Sequence, residues 1–401
     1  MSSSPLRDLM PALATKTYFN YGGQGPLPEP SLEAISEAFR TIQTLGPFSA
    51  PVWPYVNRTV SGLRAQLAGW FGVPAERLAF TENVSSGCLL PLWGLPWQAG
   101  DELLIGDAEH YGVVAGLREL ARRHGLRLRS LAVADLVGSP ASTATTLAER
   151  LEASLTPDTR LVVLSHLLWN TGQLMPIASV AAQLAQHPRH PWLLVDGAQS
   201  LGSLPVQSAA AAADIYACTG HKWCCGPEGL GAVALSERLL AESRPTLIGW
   251  RSLEHDGPGA GDLHHDARRF EVATSCTPLF AGLARSLDLL EAEGDGAGRL
   301  GVIRARSGQL WSGLQRIRGI RTLLRVPPPA GLVSFSLAAP AAEQGWHPAG
   351  IVERLGERGI WLRTLEAPPC VRACTHVVTT ADEVKRLLDE LAQLAGGFTA
   401  V

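Results

Sequence analysis

The sequence has no long uninterrupted apolar run. Ala209 to Ala213 is short and only weakly hydrophobic, so no bilayer-spanning helix is expected. The opening Met1–Asp8 lacks the apolar stretch of a signal peptide. An excess of one charge is missing as well. A formal net charge of −3 with no basic run gives no electrostatic case for nucleic acid or for an anionic membrane. The 7 cysteines are scattered, with no pair of CxxC units, which argues against a disulfide framework or a zinc ribbon. Cys224 and Cys225 are adjacent and read as buried thiols. These absences together predict a cytoplasmic protein with reduced cysteines.

At 401 residues the chain is too long for one small core and suits two domains. Its 46% hydrophobic and 18% charged content is that of a globular protein. Apolar residues at helical spacing predict helices over Ser31–Thr44, Arg58–Phe71, Val113–His124 and Leu279–Glu293. Strands are expected near Leu78–Phe80, Glu102–His110 (ending in polar residues), Arg127–Ala134 and Arg160–His166. This alternation, up to about residue 278, predicts an α/β fold with a mainly parallel sheet. Residues 1–17 read as an irregular N-terminal arm, 18–278 as a large domain and 279–401 as a smaller C-terminal α/β domain. The smaller unit would hold strands Gly331–Leu337 and Gly359–Arg363. Its closing helix, Thr380–Leu394, puts Val384, Leu387, Leu388, Leu391 and Leu394 on one face.

Chemistry concentrates around Thr219-Gly220-His221-Lys222-Trp223, followed by a Gly-Pro-x-Gly-x-Gly run, Gly226 to Gly231. Apolar segments on both sides predict strand, tight turn, strand, with an enclosed amine. A desolvated lysine loses its proton more easily and is a candidate Schiff-base nucleophile. Most lysines, however, end up on the surface. The segment Leu193-Leu194-Val195-Asp196-Gly197-Ala198-Gln199-Ser200 decides between the two readings, because a hydrophobic strand there delivers an acid and an amide at its carboxyl end. Pyridoxal phosphate (PLP) chemistry needs a lysine to hold the aldehyde and an acid to keep the pyridine nitrogen protonated. Asp196 fits the acid, Gln199 the ring hydroxyl, and Thr219 and His221 the phosphate.

Other segments read two ways. Thr81-Glu82-Asn83-Val84-Ser85-Ser86-Gly87 sits where a strand gives way to a helix, and its small polar residues suit N-capping or a phosphate cradle. His110 follows a strand, where a lone histidine is usually structural. Histidines and acids between Glu254 and His265 lack metal-ligand spacing and predict a solvated loop, with no metal site. Arg363 and Arg372 each lie near a strand and from pattern alone read as solvated, although an amino-acid carboxylate requires such a planar fork.

Asp-Gly-Ala-Gln-Ser followed by Thr-Gly-His-Lys resembles the class V aminotransferase group of PLP enzymes, which includes cysteine desulfurases. The likeness runs from about Tyr18 to the C-terminal helix. It is similar in particular to the cyanobacterial L-cysteine/cystine C–S lyases in Tyr18–Gly25, Ser165–Gln173, Gly249–Ser252 and Arg268–Ser275. The resemblance implies PLP-dependent fold type I, with a sheet of the seven-stranded type. It implies that His110 stacks on the pyridine ring, that Ser85 and Ser86 hold the phosphate, and that Asn170 contacts ring or substrate. Trp169 holds the place of the desulfurase asparagine, and Asn170 lies one residue on. Thr274 matches a threonine that reaches the phosphate of the partner subunit, which implies a homodimer with shared active sites. Tyr21, Gly22, Gly23 and Trp250 fall on the substrate side. Arg372 becomes the α-carboxylate clamp, and Arg363 a second clamp for cystine.

Desulfurases carry a nucleophilic cysteine on an extended loop between these arginines. Here only Thr364-Leu365-Glu366-Ala367-Pro368-Pro369-Cys370-Val371 separates them, short and stiffened by prolines. That favours a lyase acting by β-elimination on L-cystine, L-cysteine or a related derivative, with Lys222 as base and Asp196 and His110 assisting. Pyruvate, ammonia and a persulfide or sulfide would result, a sulfur source for an acceptor protein or for iron–sulfur clusters. The alternatives are a desulfurase using Cys370 and giving alanine, a lyase for another S-conjugate, and a non-catalytic PLP-binding protein.

Overall fold

Hydrophobic strands end where the chemistry is expected to begin. The computed structural model describes residues 4–255, 257, 261–338 and 346–396. Its strands are β1 (Thr17–Tyr18), β2 (Leu78–Thr81), β3 (Glu102–Gly106), β4 (Arg127–Leu131), β5 (Thr159–Ser165), β6 (Trp192–Asp196), β7 (Ile215–Thr219) and β8 (Gly231–Leu235). Then follow β9 (Ile320–Thr322), β10 (Leu332–Leu337), β11 (Ile360–Trp361), β12 (Arg363–Glu366) and β13 (Pro369–Cys374). β2 to β8 form a 7-stranded sheet in the order β2-β8-β7-β6-β5-β3-β4. From β7 to β4 every pairing is parallel. β8 alone runs antiparallel to its neighbours, because a loop over 220–230, in place of the expected tight turn, returns the chain without a crossover helix.

β3, β6, β7 and β8 are buried throughout, as expected of a sheet covered on both faces. Helices in the connections supply that cover, including Val84–Trp93 and Tyr111–His124. After β3 the chain goes to β4 on one side, and from β5 it runs through β6 and β7 on the other. The crevice between the carboxyl ends of β3 and β5 is therefore the place where an open α/β sheet takes its ligand.

A second sheet, 4-stranded and antiparallel in the order β12-β13-β10-β9, has its own core of Phe19, Leu310, Phe335, Ile351, Val371 and Leu387. The C-terminal helix, Ala381–Gly396, covers it with Val384, Leu387, Leu391 and Leu394. The helix Thr277–Ala292, expected to lead into this unit, lays Phe280, Leu283 and Leu287 into the larger core. Gly282 makes that approach possible, since a Cβ there would lie 2.4 Å from Ile35.

Two local expectations are corrected. The supposed irregular arm forms short helices, Pro5–Asp8 and Pro11–Thr15, that bury Leu6, Met10 and Leu13. They are too short for periodicity to register, and Arg7 anchors them through Glu383 at 2.8 Å. The predicted strand Gly359–Arg363 is split. β11 pairs in parallel with β1, whereas β12 turns back onto β13. No described helix is long and apolar enough to cross a membrane. The histidine-rich stretch 254–265 lies partly outside the described residues.

Candidate active site

A cavity of about 210 Å³ lies at the carboxyl ends of β3, β5 and β6, walled by Gly22, Gly23, Ser85, His110, Tyr111, Ser165, Trp169, Asp196, Gln199, Lys222, Arg363 and Arg372. Lys222 reaches it from the turn after β7. Burial holds its amine at a pKa of about 8 instead of 10.5; Asp196 opposes that shift, while Arg372 and Arg363 add to it. Asp196 ends β6 and is 5% exposed. Burial raises its pKa, countered by the Ala198 N–H at 2.8 Å and by Lys222 and His110.

His110 caps the helix Tyr111–His124, its Nδ1 accepting the Gly112 N–H at 3.2 Å. That bond leaves Nε2 to carry the proton of a neutral ring. Burial and then Lys222 lower its pKa. Tyr111 stacks on one side at 4.3 Å, and Trp169 meets the ring edge-on at 5.5 Å.

Arg372 comes from β13 and is 1% exposed. Its Nη1 donates to the Trp169 carbonyl at 2.9 Å, while Nε and Nη2 find no hydrogen-bond partner. Burial lowers its pKa, with the neighbouring Cys374 sulfur opposing. A buried guanidinium with two idle N–H groups is poised for an anion. The wall opposite is glycine by necessity: a Cβ on Gly22 would stand 2.8 Å from the Gln199 Oε1 and 3.1 Å from the Arg372 Cζ.

Not every expected residue reaches this cavity. The loop residue that does is Trp169. Asn170 instead donates to the Ala367 carbonyl at 3.3 Å and accepts the Thr171 N–H at 2.8 Å, so it ties the β12–β13 turn to the sheet. Tyr21 is buried behind the wall, stacked on His376 at 4.6 Å. Thr219 and His221 bond each other at 2.7 Å outside the lining. Asn83 caps the helix Val84–Trp93 through the Ser86 N–H, leaving Ser85 at the cavity and Ser86 on another cleft with Thr274. Trp250 lines a third cleft and meets Trp53 edge-on at 6.0 Å. Sequence reasoning passed over Glu109, Tyr111 and Ser165. The Ser165 hydroxyl and N–H both donate to the buried Glu109 carboxyl at 2.7 Å. The Glu109-His110 pair itself was the available signal.

A buried lysine and a buried acid at the carboxyl ends of a mainly parallel sheet, with an anion-seeking arginine brought to them from the second sheet, define a PLP-dependent enzyme of fold type I. The chain belongs to the aminotransferase class-V family, whose model matches residues 18–387. Isopenicillin N epimerase of Streptomyces clavuligerus is 30% identical over 95% of this chain and 96% of its own length. A probable cysteine desulfurase of Pseudomonas aeruginosa is 30% identical over 82% and 81%. Among solved structures, the cystine C–S lyase C-DES, in complex with its product cysteine persulfide, is 41% identical. It superposes with a TM-score of 0.90 over 96% of this chain and 99% of that one. PLP fits the residues present: the amine, the acid and the idle guanidinium groups share one cavity.

Proposed function

We propose that the protein is a PLP-dependent carbon–sulfur lyase. It eliminates sulfur from the β-carbon of L-cystine, L-cysteine or a related derivative, giving pyruvate, ammonia and a persulfide or sulfide. The observation that carries this reading over desulfuration is the place of Cys370. β12 and β13 form a tight hairpin, with Glu366 facing Pro369 in register, so no extended arm exists there. Cys370 is fully buried on β13, and burial pushes its thiol up to about 11. A sulfur-accepting nucleophile needs an accessible thiolate.

Bound PLP supplies the sink for the charge left at the α-carbon. Arg372 holds the α-carboxylate, and Arg363, opposite it, suits the distal carboxylate of a disulfide substrate. Lys222 would hold the cofactor through its amine, and the same amine is placed to serve as base for the substrate α-proton. Its pKa near 8 keeps a useful neutral fraction at physiological pH. Asp196 retains the proton on the ring nitrogen. The neutral His110 offers its Nε2–H toward the cavity, where it can steer protons without adding charge.

The likeness to the C–S lyase C-DES supports the same reading. A homodimer belongs to the proposal too. Thr274 lies on a cleft separate from Lys222, and exposed Leu247 and Ile248 lie nearby, so a partner's cavity is the one it would complete. Released sulfur would pass to an acceptor or to iron–sulfur cluster assembly. The epimerase relatives favour a second reading, in which the α-carbon is reprotonated on the other face.

Product identity tests these readings: purified holoenzyme is incubated with L-cystine and with L-cysteine. Pyruvate with ammonia is expected. Alanine would replace the proposal with a desulfurase, a D-amino acid with an epimerase, and no product with a non-catalytic PLP protein.

A further inference from the structure

Gln199 is 4% exposed and holds its carboxamide between two partners that each work in one direction only. The Trp223 indole N–H, a donor and nothing else, meets Oε1 at 2.9 Å. The Gly22 carbonyl, an acceptor and nothing else, takes an Nε2–H at 2.9 Å. Reversing the amide would set donor against donor and acceptor against acceptor, so its orientation is unique. Nε2 carries a second hydrogen, and the side chain lines the cavity beside Lys222.

Trp223 is itself held in a single seat. It is 0% exposed, and its carbonyl pairs with the His376 Nε2 at 3.0 Å. Tyr21 stacks over it at 6.3 Å, and a Cβ on Gly331 would stand 2.7 Å from its ring. The ring fills the core, and any buried indole needs some acceptor. What sets this one apart is the acceptor it uses, the one side-chain oxygen whose placement decides what Gln199 presents to the cavity.

We propose that Trp223 is a positioning residue, whose indole N–H fixes the Gln199 carboxamide so that an amide N–H is presented to the ring oxygen of bound PLP. This rests on the assignment of that cofactor to the cavity. A donor at that oxygen stabilises its negative charge and weakens its hold on the proton shared with the Lys222 nitrogen. Losing the donor raises the pH at which the lysine-bound cofactor gives up that proton.

The test is a pH titration of the visible absorbance of the holoenzyme without substrate, alongside thermal unfolding of each variant. Trp223→Phe should raise the midpoint by about half to one pH unit, the size of one hydrogen bond. Gln199→Ala should raise it at least as far, and adding Trp223→Phe to Gln199→Ala should change nothing more. An unchanged midpoint in Trp223→Phe overturns the proposal, as does a full second shift in the double variant. Where Trp223→Phe does not fold, Gln199→Glu serves. It keeps the acceptor for Trp223 but has no amide hydrogen, so a wild-type midpoint there also overturns the proposal. A wild-type protein with no visible band sinks the cofactor assignment as well; a band that ignores the substitutions sinks this proposal alone.

Discussion

Arg363 and Arg372 stand directly opposite each other across the β12–β13 pair. Like charges at one register position repel, and both face the same cavity, so the pair calls for an anion between them. Arg372→Ala should raise KM about 10- to 100-fold, the worth of a charged hydrogen-bonded contact, with a smaller change in kcat. Arg372→Lys should recover little, because an ammonium lacks the planar fork. Arg363→Ala should weaken cystine more than cysteine. Steady-state kinetics on both substrates check this, and unchanged KM values would remove the pair from the site.

Lys222→Ala should abolish both the lysine-bound cofactor absorbance and turnover. Burial lowers the Lys222 pKa to about 8, so its neutral, nucleophilic form grows as pH rises through that value. The rate at which apoprotein takes up PLP should therefore climb with pH and level off above about 8. Stopped-flow absorbance follows it; a rate still climbing toward 10.5 would show an exposed amine.

Cys370 should resist alkylation in the native protein and react once the chain is unfolded, since its thiol is buried with its pKa near 11. Mass spectrometry of iodoacetamide-treated protein reads this directly. Cys370→Ser should retain most of the activity; loss of turnover to background would restore the desulfurase reading.

Asn170→Ala removes a bond to the hairpin turn and another to its own loop. At about 1 kcal/mol for such a bond, KM should rise roughly fivefold through looser arginines. The cofactor absorbance should stay as it was. A changed absorbance would return Asn170 to the cofactor.

Glu109 is buried, and burial raises its carboxyl to about 8 from 4.5, against the Ser165 bonds that oppose the shift. Between those two values the native state keeps a proton that the unfolded chain has released. Its contribution to stability is thus present below pH 4.5 and is lost as pH rises through 8. Glu109→Gln should flatten the fall in apoprotein stability between pH 4.5 and about 8. Urea unfolding at several pH values measures the slope, and identical slopes would refute the shift.

The site was readable in the sequence where a residue hangs from the end of a strand. Asp196 ends β6, His110 follows β3 and Lys222 follows β7, so alternation alone carries them to one edge of the sheet. It was unreadable where one residue's offset decides direction. Trp169 and Asn170 share a loop, yet one faces the cavity and the other the hairpin. Ser85 and Ser86 divide in the same way between two clefts, because successive residues on a helical turn point about 100° apart. The hairpin was missed because its strands are defined by pairing with each other, and no periodicity shows over so few residues. Nor was it readable that Trp250 lines a separate cleft, since that cleft depends on the helix Trp53–Phe71.

The arginines sit on strands that the ribosome makes long after the lysine, the acid and the amide. A nascent chain extended through β8 already carries everything proposed to grip the cofactor ring, but nothing to grip an amino acid. Because β1 pairs with β11 and Arg7 with Glu383, the opening segment also completes its contacts only when the far end emerges. The residues proposed for the coenzyme ring and the arginines proposed for the substrate are thus made at different times in synthesis.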